Sequence, residues 1–130
     1  MLNVSCSLLL VDDDEEFLDI VVRRFVRRGL SVVAVGHPQA ALEAAAGRMF
    51  HVAVVDRTLP GGDGLRLMAQ LKGFHPRLEV IVLSGRADGE SARAARDQGA
   101  FEYLVKPCPL AELEATVQRA FERTGEQAAG

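Results

Sequence analysis

The chain has 130 residues, 48% of them hydrophobic and 25% charged, which suits one globular domain with a real core. Its net charge of -3 argues against a nucleic-acid surface, and no apolar run is long enough to span a bilayer. Cys6 and Cys108 make neither a disulfide nor a zinc pattern, and Ser7 to Val11 lacks the basic lead and cleavage site of a signal peptide. A reducing, cytoplasmic compartment is the expectation.

Strand-like runs and helical patterns alternate five times. Leu8 to Val11 is the first strand, continuously apolar, and it runs into Asp12, Asp13 and Asp14. Phe17, Leu18, Val21, Val22, Phe25 and Val26 then stripe a helix that Gly29 stops. Asp14 and Glu15 suit its start, while Arg23, Arg24, Arg27 and Arg28 crowd its last turns as a solvated face that complements the helix dipole. Leu30 to Val35 is the second strand. Pro38 opens an alanine-rich helix around Leu42 that ends at Gly47.

The third strand carries the most informative stretch, from His51 to Gly64. Val52, Ala53, Val54 and Val55 lead straight into Asp56, and Pro60 and three glycines follow. Asp63 reads as the cap of the next helix, in which Leu65, Leu67, Met68 and Leu71 are core residues and which ends at Gly73. Glu79 to Leu83 is the fourth strand, stopping at Ser84 and Gly85. The fourth helix, roughly Gly89 to Gln98, has only Ala92, Ala94 and Ala95 as apolar side chains, so it should be the loosest element. Phe101 to Val105 is the fifth strand and ends at Lys106. Cys108 then reads as a small buried hydrophobe between two prolines. Leu110, Leu113, Val117, Ala120 and Phe121 stripe the last helix. Residues 1–124 read as the domain and 125–130 as a tail or the start of a linker. His37, His51 and His75 read as ordinary loop or surface residues.

This alternation implies an α/β fold, a three-layer, doubly wound parallel sheet of five βα units. If the strand order is the flavodoxin-like 2-1-3-4-5, strands one and three are neighbours, and Asp12, Asp13 and Asp56 share one pocket with Ser84 and Lys106 on its other side. Carboxylates that close repel one another, and one lysine does not neutralise them. Oxygen-only ligands suit Mg²⁺ or Mn²⁺. A metal, a free carboxylate, a hydroxyl and an ammonium are the parts needed to move a phosphoryl group onto an aspartate. Asp56 would attack, Lys106 would neutralise the phosphoryl oxygens and Ser84 would hydrogen-bond the product.

These residues resemble the response regulator receiver domain over about Leu8 to Phe121. The matching features are the Asp12-Asp13 pair, the turn after Asp56, Ser84 followed by a small residue, Tyr103 shortly before its strand end, and the Lys106-Pro107 dipeptide. The resemblance implies that a histidine kinase or phosphotransfer protein phosphorylates Asp56. It also implies that Asp13, Asp56 and the backbone carbonyl of Thr58 bind Mg²⁺, with Asp12 contributing through water, and that the acyl phosphate is slowly lost by hydrolysis. Arg57 and Thr58, which flank the attacking water, would tune that loss. Ser84 would move toward the phosphoryl group and the Tyr103 ring would rotate inward, changing the face made by the fourth helix, fifth strand and fifth helix. The loosely anchored fourth helix suits such a switch. The family further suggests a cis bond at Lys106-Pro107. A downstream effector protein or domain would read the change, because sigma-54-type transcription activators carry similar receivers ending at a linker. A homodimer through the same face is open, although no exposed apolar seam is legible there.

Three rivals fit less well. A dehalogenase-type phosphatase wants a second Asp where Thr58 stands. A flavodoxin-like electron carrier wants a Gly/Ser/Thr-rich phosphate loop after strand one and a tryptophan to stack on the flavin, and the chain has neither. A scaffold that never takes phosphate has no use for Asp12, Asp13, Asp56, Ser84 and Lys106 together.

Overall fold

In chain order the elements are β1 (Ser7–Val11), α1 (Glu15–Arg27), β2 (Ser31–Val35), α2 (Pro38–Gly47), β3 (Val52–Asp56), α3 (Gly64–Phe74), β4 (Glu79–Ser84), α4 (Gly89–Asp97), β5 (Glu102–Val105) and α5 (Leu110–Ala129). This computed structural model describes residues 6–129, with side chains through residue 125. Residues 1–5 and 130, the ends of the expected domain and tail, lie outside it. The five strands form one parallel sheet in the order β2-β1-β3-β4-β5, as expected.

Burial explains the pattern of the strands. Every residue of β1, β3 and β4 is buried, which is why those runs are apolar without alternation. Alternate strand residues feed two cores. Leu9, Val11, Ala53, Val55, Val80 and Val82 face one of them, which α2, α3 and α4 cover through Ala41, Ala45, Leu65, Met68, Leu71 and Ala95. Leu8, Leu10, Val52, Val54, Ile81 and Leu83 face the other, which α1 and α5 cover through Val21, Phe25, Leu113, Val117 and Ala120. Each Leu or Phe taken from water there contributes roughly 1.5–3 kcal/mol. In α4, by contrast, only Ser91 and Ala95 are buried, so this helix has the thin packing its sequence implied.

Boundaries move by a residue or two. Leu30 and Phe101 precede β2 and β5 rather than starting them, because Gly29 and Gly99 turn the chain with φ of 94° and 110°. α5 continues through Gly125 to Ala129, along the stretch expected as a tail. A short antiparallel hairpin, not expected from the sequence, pairs Thr58–Leu59 with Gly62–Asp63. Its turn puts Pro60 before Gly61, whose φ of 78° suits the third position of a type II turn.

Candidate functional site

Register brings the acids together. Val11 pairs with Val55 across β1 and β3, so the next residues, Asp12 and Asp56, leave the sheet side by side. Ser84 pairs with Val105, so Ser84 and Lys106 come to the same edge on the far side of β3. Asp12 and Asp56 are buried, at 2% and 8% exposure, while Asp13 is exposed. A carboxylate oxygen from each of Asp12, Asp13 and Asp56 lies within 4.8 Å of the others.

Lys106 bridges two of them. Its Nζ donates to Asp12 Oδ2 at 2.8 Å and to Asp56 Oδ2 at 3.0 Å. It also lies 5.5 Å from the centre of the Phe17 ring, which belongs to the apolar stripe of α1. The peptide bond from Lys106 to Pro107 is cis, as the resemblance suggested. The remaining oxygens are engaged locally: Asp12 Oδ1 accepts from the Asp14 N–H at 2.9 Å, and Asp56 Oδ1 accepts from the Thr58 N–H at 3.3 Å.

Electrostatics follow from this geometry. Burial raises the Asp56 pKa and the neighbouring Asp12 pushes it the same way, against the hydrogen bond from Lys106, which lowers it. Burial works to lower the Lys106 pKa, but its bonds to the two carboxylates together outweigh burial and raise it. With one ammonium among three carboxylates, charge is left over that a divalent cation would balance. The donor set is all oxygen and open on the Asp13 side, which fits Mg²⁺ or Mn²⁺.

Ser84 and Tyr103 meet through one backbone segment. Ser84 Oγ accepts from the Arg86 N–H at 3.1 Å, and Tyr103 Oη donates to the Arg86 carbonyl at 2.6 Å. Tyr103 is 6% exposed, with its hydroxyl held by that carbonyl. Behind Asp56, α3 begins so close that a Cβ on Gly64 would overlap the Asp56 carbonyl oxygen. Asp63 caps that helix through the Leu65 N–H at 2.9 Å, as expected.

The residues read as bystanders are not at this edge cluster. His37 caps α2 through Nδ1. His51 Nδ1 accepts from the Ser7 N–H, and His75 Nε2 lies 2.9 Å from the Ala45 carbonyl oxygen. Cys108 is half-buried against the α1/α5 core, and burial raises its pKa. Arg24 and Arg28 of the basic face both reach Glu114 of α5, at 3.2 and 3.0 Å. Among the described residues no helix is long and apolar enough to cross a membrane.

Comparison with known proteins agrees with this architecture. The family model described as response regulator receiver domain matches residues 8–118. The DNA-binding transcriptional regulator NtrC of Escherichia coli (strain K12) is 38% identical over 117 residues, covering 90% of this chain and 25% of that protein. The transcriptional regulatory protein ZraR of the same organism is 27% identical over 124 residues, 95% of this chain and 28% of that one. The chain thus spans about a quarter of the length of the curated relatives it matches. Among solved structures, a Burkholderia pseudomallei response regulator with a phosphorylated aspartic acid, calcium ion and citrate superimposes with a TM-score of 0.81 at 32% identity, covering 96% of this chain and 74% of that one. NtrX from Brucella abortus gives 0.89 at 28% identity, covering 96% of this chain and 29% of its own.

Proposed function

The chain belongs to the response regulator receiver domain family, and on that premise we propose that Asp56 accepts a phosphoryl group from a partner histidine kinase or phosphotransfer protein in the cytoplasm. The observation that carries this reading is Lys106 bridging Asp12 and Asp56 at the carboxyl edge of the sheet. Two buried carboxylates around one ammonium cost desolvation energy, and such arrangements cluster at functional sites.

The side chains of Asp13 and Asp56 and the backbone carbonyl of Thr58 would hold Mg²⁺ or Mn²⁺, with Asp12 contributing through water. When bound, the cation neutralises phosphoryl oxygens and the excess carboxylate charge. Asp56 is the nucleophile. Lys106, already aimed at its carboxylate, exchanges that contact for one to a phosphoryl oxygen. Ser84 turns its hydroxyl from the Arg86 amide toward the product, and the link through the Arg86 carbonyl passes that movement to Tyr103. The face of α4, β5 and α5 then changes, with the thinly packed α4 as the element that yields. An effector protein or domain reads that face. This chain itself makes no nucleic-acid contact, consistent with its net charge of -3. Slow hydrolysis, with Arg57 and Thr58 beside the water's path, resets the acceptor.

The test is incubation with acetyl phosphate and Mg²⁺, followed by intact mass. A gain of about 80 Da is expected in the wild-type chain and none in Asp56→Asn. An unmodified wild-type mass would refute the reading.

A further inference from the structure

The turn after Asp56 carries a poorly satisfied cation. The Arg57 backbone is pinned: its N–H donates to the Leu83 carbonyl and its own carbonyl accepts from the Gly64 N–H, both at 2.7 Å. Its side chain is not. Arg57 Nε stands 3.7 Å from Asp63 Oδ1, too far for a hydrogen bond, and that oxygen is already engaged by the Leu65 N–H. Arg57 Nη1 is buried without a hydrogen-bond partner. A guanidinium has five donors, and leaving a buried one unmet is costly, so this parked position is a weak minimum.

Arg57 borders a cleft of about 430 Å³ that Thr58, Gly62, Asp63, Ser84, Gly85 and Arg86 also line. The Thr58 N–H donates to the Asp56 carboxylate, so the cleft lies beside the acceptor, and two arginines are among the residues that line it. An incoming phosphodonor is itself anionic and meets three carboxylates. Positive charge at the approach is what such a donor needs.

We propose that Arg57 moves from its parked position into this cleft and binds the acyl oxygen of a small acyl phosphate, which makes it the residue that selects among low-molecular-weight donors. The inference rests on Asp56 being the phosphoacceptor. In the transfer an Asp56 oxygen forms the new O–P bond while the bond from phosphorus to the donor's carboxylate oxygen breaks. The departing carboxylate keeps the electron pair, and Arg57 pairs with the charge that gathers on it.

The experiment compares the wild-type chain, Arg57→Gln and Arg57→Lys with graded acetyl phosphate or phosphoramidate in Mg²⁺, following the initial rate of phosphoprotein formation by intact mass, before hydrolysis contributes. Phosphoramidate releases ammonia, which offers Arg57 no anionic oxygen. The second-order rate with acetyl phosphate should fall about tenfold in Arg57→Gln and less in Arg57→Lys, while the phosphoramidate rate stays within about twofold. An unchanged acetyl phosphate rate, or an equal fall with both donors, would overturn the role of Arg57 and leave Asp56 as the acceptor. A wild-type chain labelled by neither donor would overturn the acceptor reading, and this inference with it.

Discussion

Replacing Lys106 by Met keeps a long apolar stem but removes the one charge that Asp12 and Asp56 share. In the structure the ammonium makes two charge-assisted bonds, at 2.8 and 3.0 Å, to carboxylates that are 2% and 8% exposed. Bonds to charged groups are worth about 1.5–3 kcal/mol each, and breaking a fully buried pair costs about 3–5 kcal/mol. The lysine side chain is 30% exposed, so solvent already screens the pair and the lower range applies. A loss of about 2–3 kcal/mol at pH 7 is expected, or roughly 8–12 °C in Tm for a chain of this size. The pH dependence has a definite sign. The folded pKa of Asp56 is raised above its ordinary value of 3.8, so ionising it costs stability above that raised pKa, and the cost is relieved as pH falls through it toward 3.8. Without Lys106 the pKa climbs further and the relief begins at a higher pH. The Lys106 pKa is itself raised above 10.5, so the wild-type bridge persists up to and beyond that pH. Thermal melts of both proteins at pH 5 and pH 7 measure this. The variant's deficit should be smaller at pH 5, and Mg²⁺ should recover part of it at pH 7. Equal Tm values at pH 7, or a deficit that does not shrink on acidification, would refute the claim that two buried carboxylates depend on one ammonium.

Three further outcomes follow from contacts described above. Gly64→Ala drives a Cβ into the Asp56 carbonyl oxygen, so it should cost about 2 kcal/mol or more in urea unfolding and slow Asp56 labelling. Glu114→Gln, which strips both Arg24 and Arg28 of their partner, should cost only about 1 kcal/mol because the arginine side chains are 35% and 52% exposed; the cost should fade in 1 M salt. Tyr103→Phe removes the bond to the Arg86 carbonyl. It should cost about 1 kcal/mol and speed amide exchange in the β4–α4 loop, with β1 and β3 unaffected.

The order of elements was legible because burial writes itself into composition. Strands covered on both faces, such as β3, are apolar throughout, whereas α1 shows a stripe and α4 almost nothing. The acidic pair, Asp56, Ser84 and Lys106 were legible because each ends an apolar run. What escaped were features without periodicity or composition. A two-residue hairpin is too short to show a pattern, the Phe17 contact with Lys106 hides within an ordinary helical stripe, and the tie of Ser84 to the Arg86 N–H and of Tyr103 to the Arg86 carbonyl runs through backbone atoms that every residue shares.

By itself, then, the amino-acid order determined which stretches had to be strands, which helix would be thinly held, and which polar side chains would stand at strand ends, since these depend on local spacing and on what can leave water. Only the assembled sheet decided that Lys106 sits between Asp12 and Asp56, separated from them by 94 and 50 residues in the chain. Strand order and register bring those side chains within 3.0 Å, and both are settled by how the two cores pack, a balance of contacts spread over the whole domain.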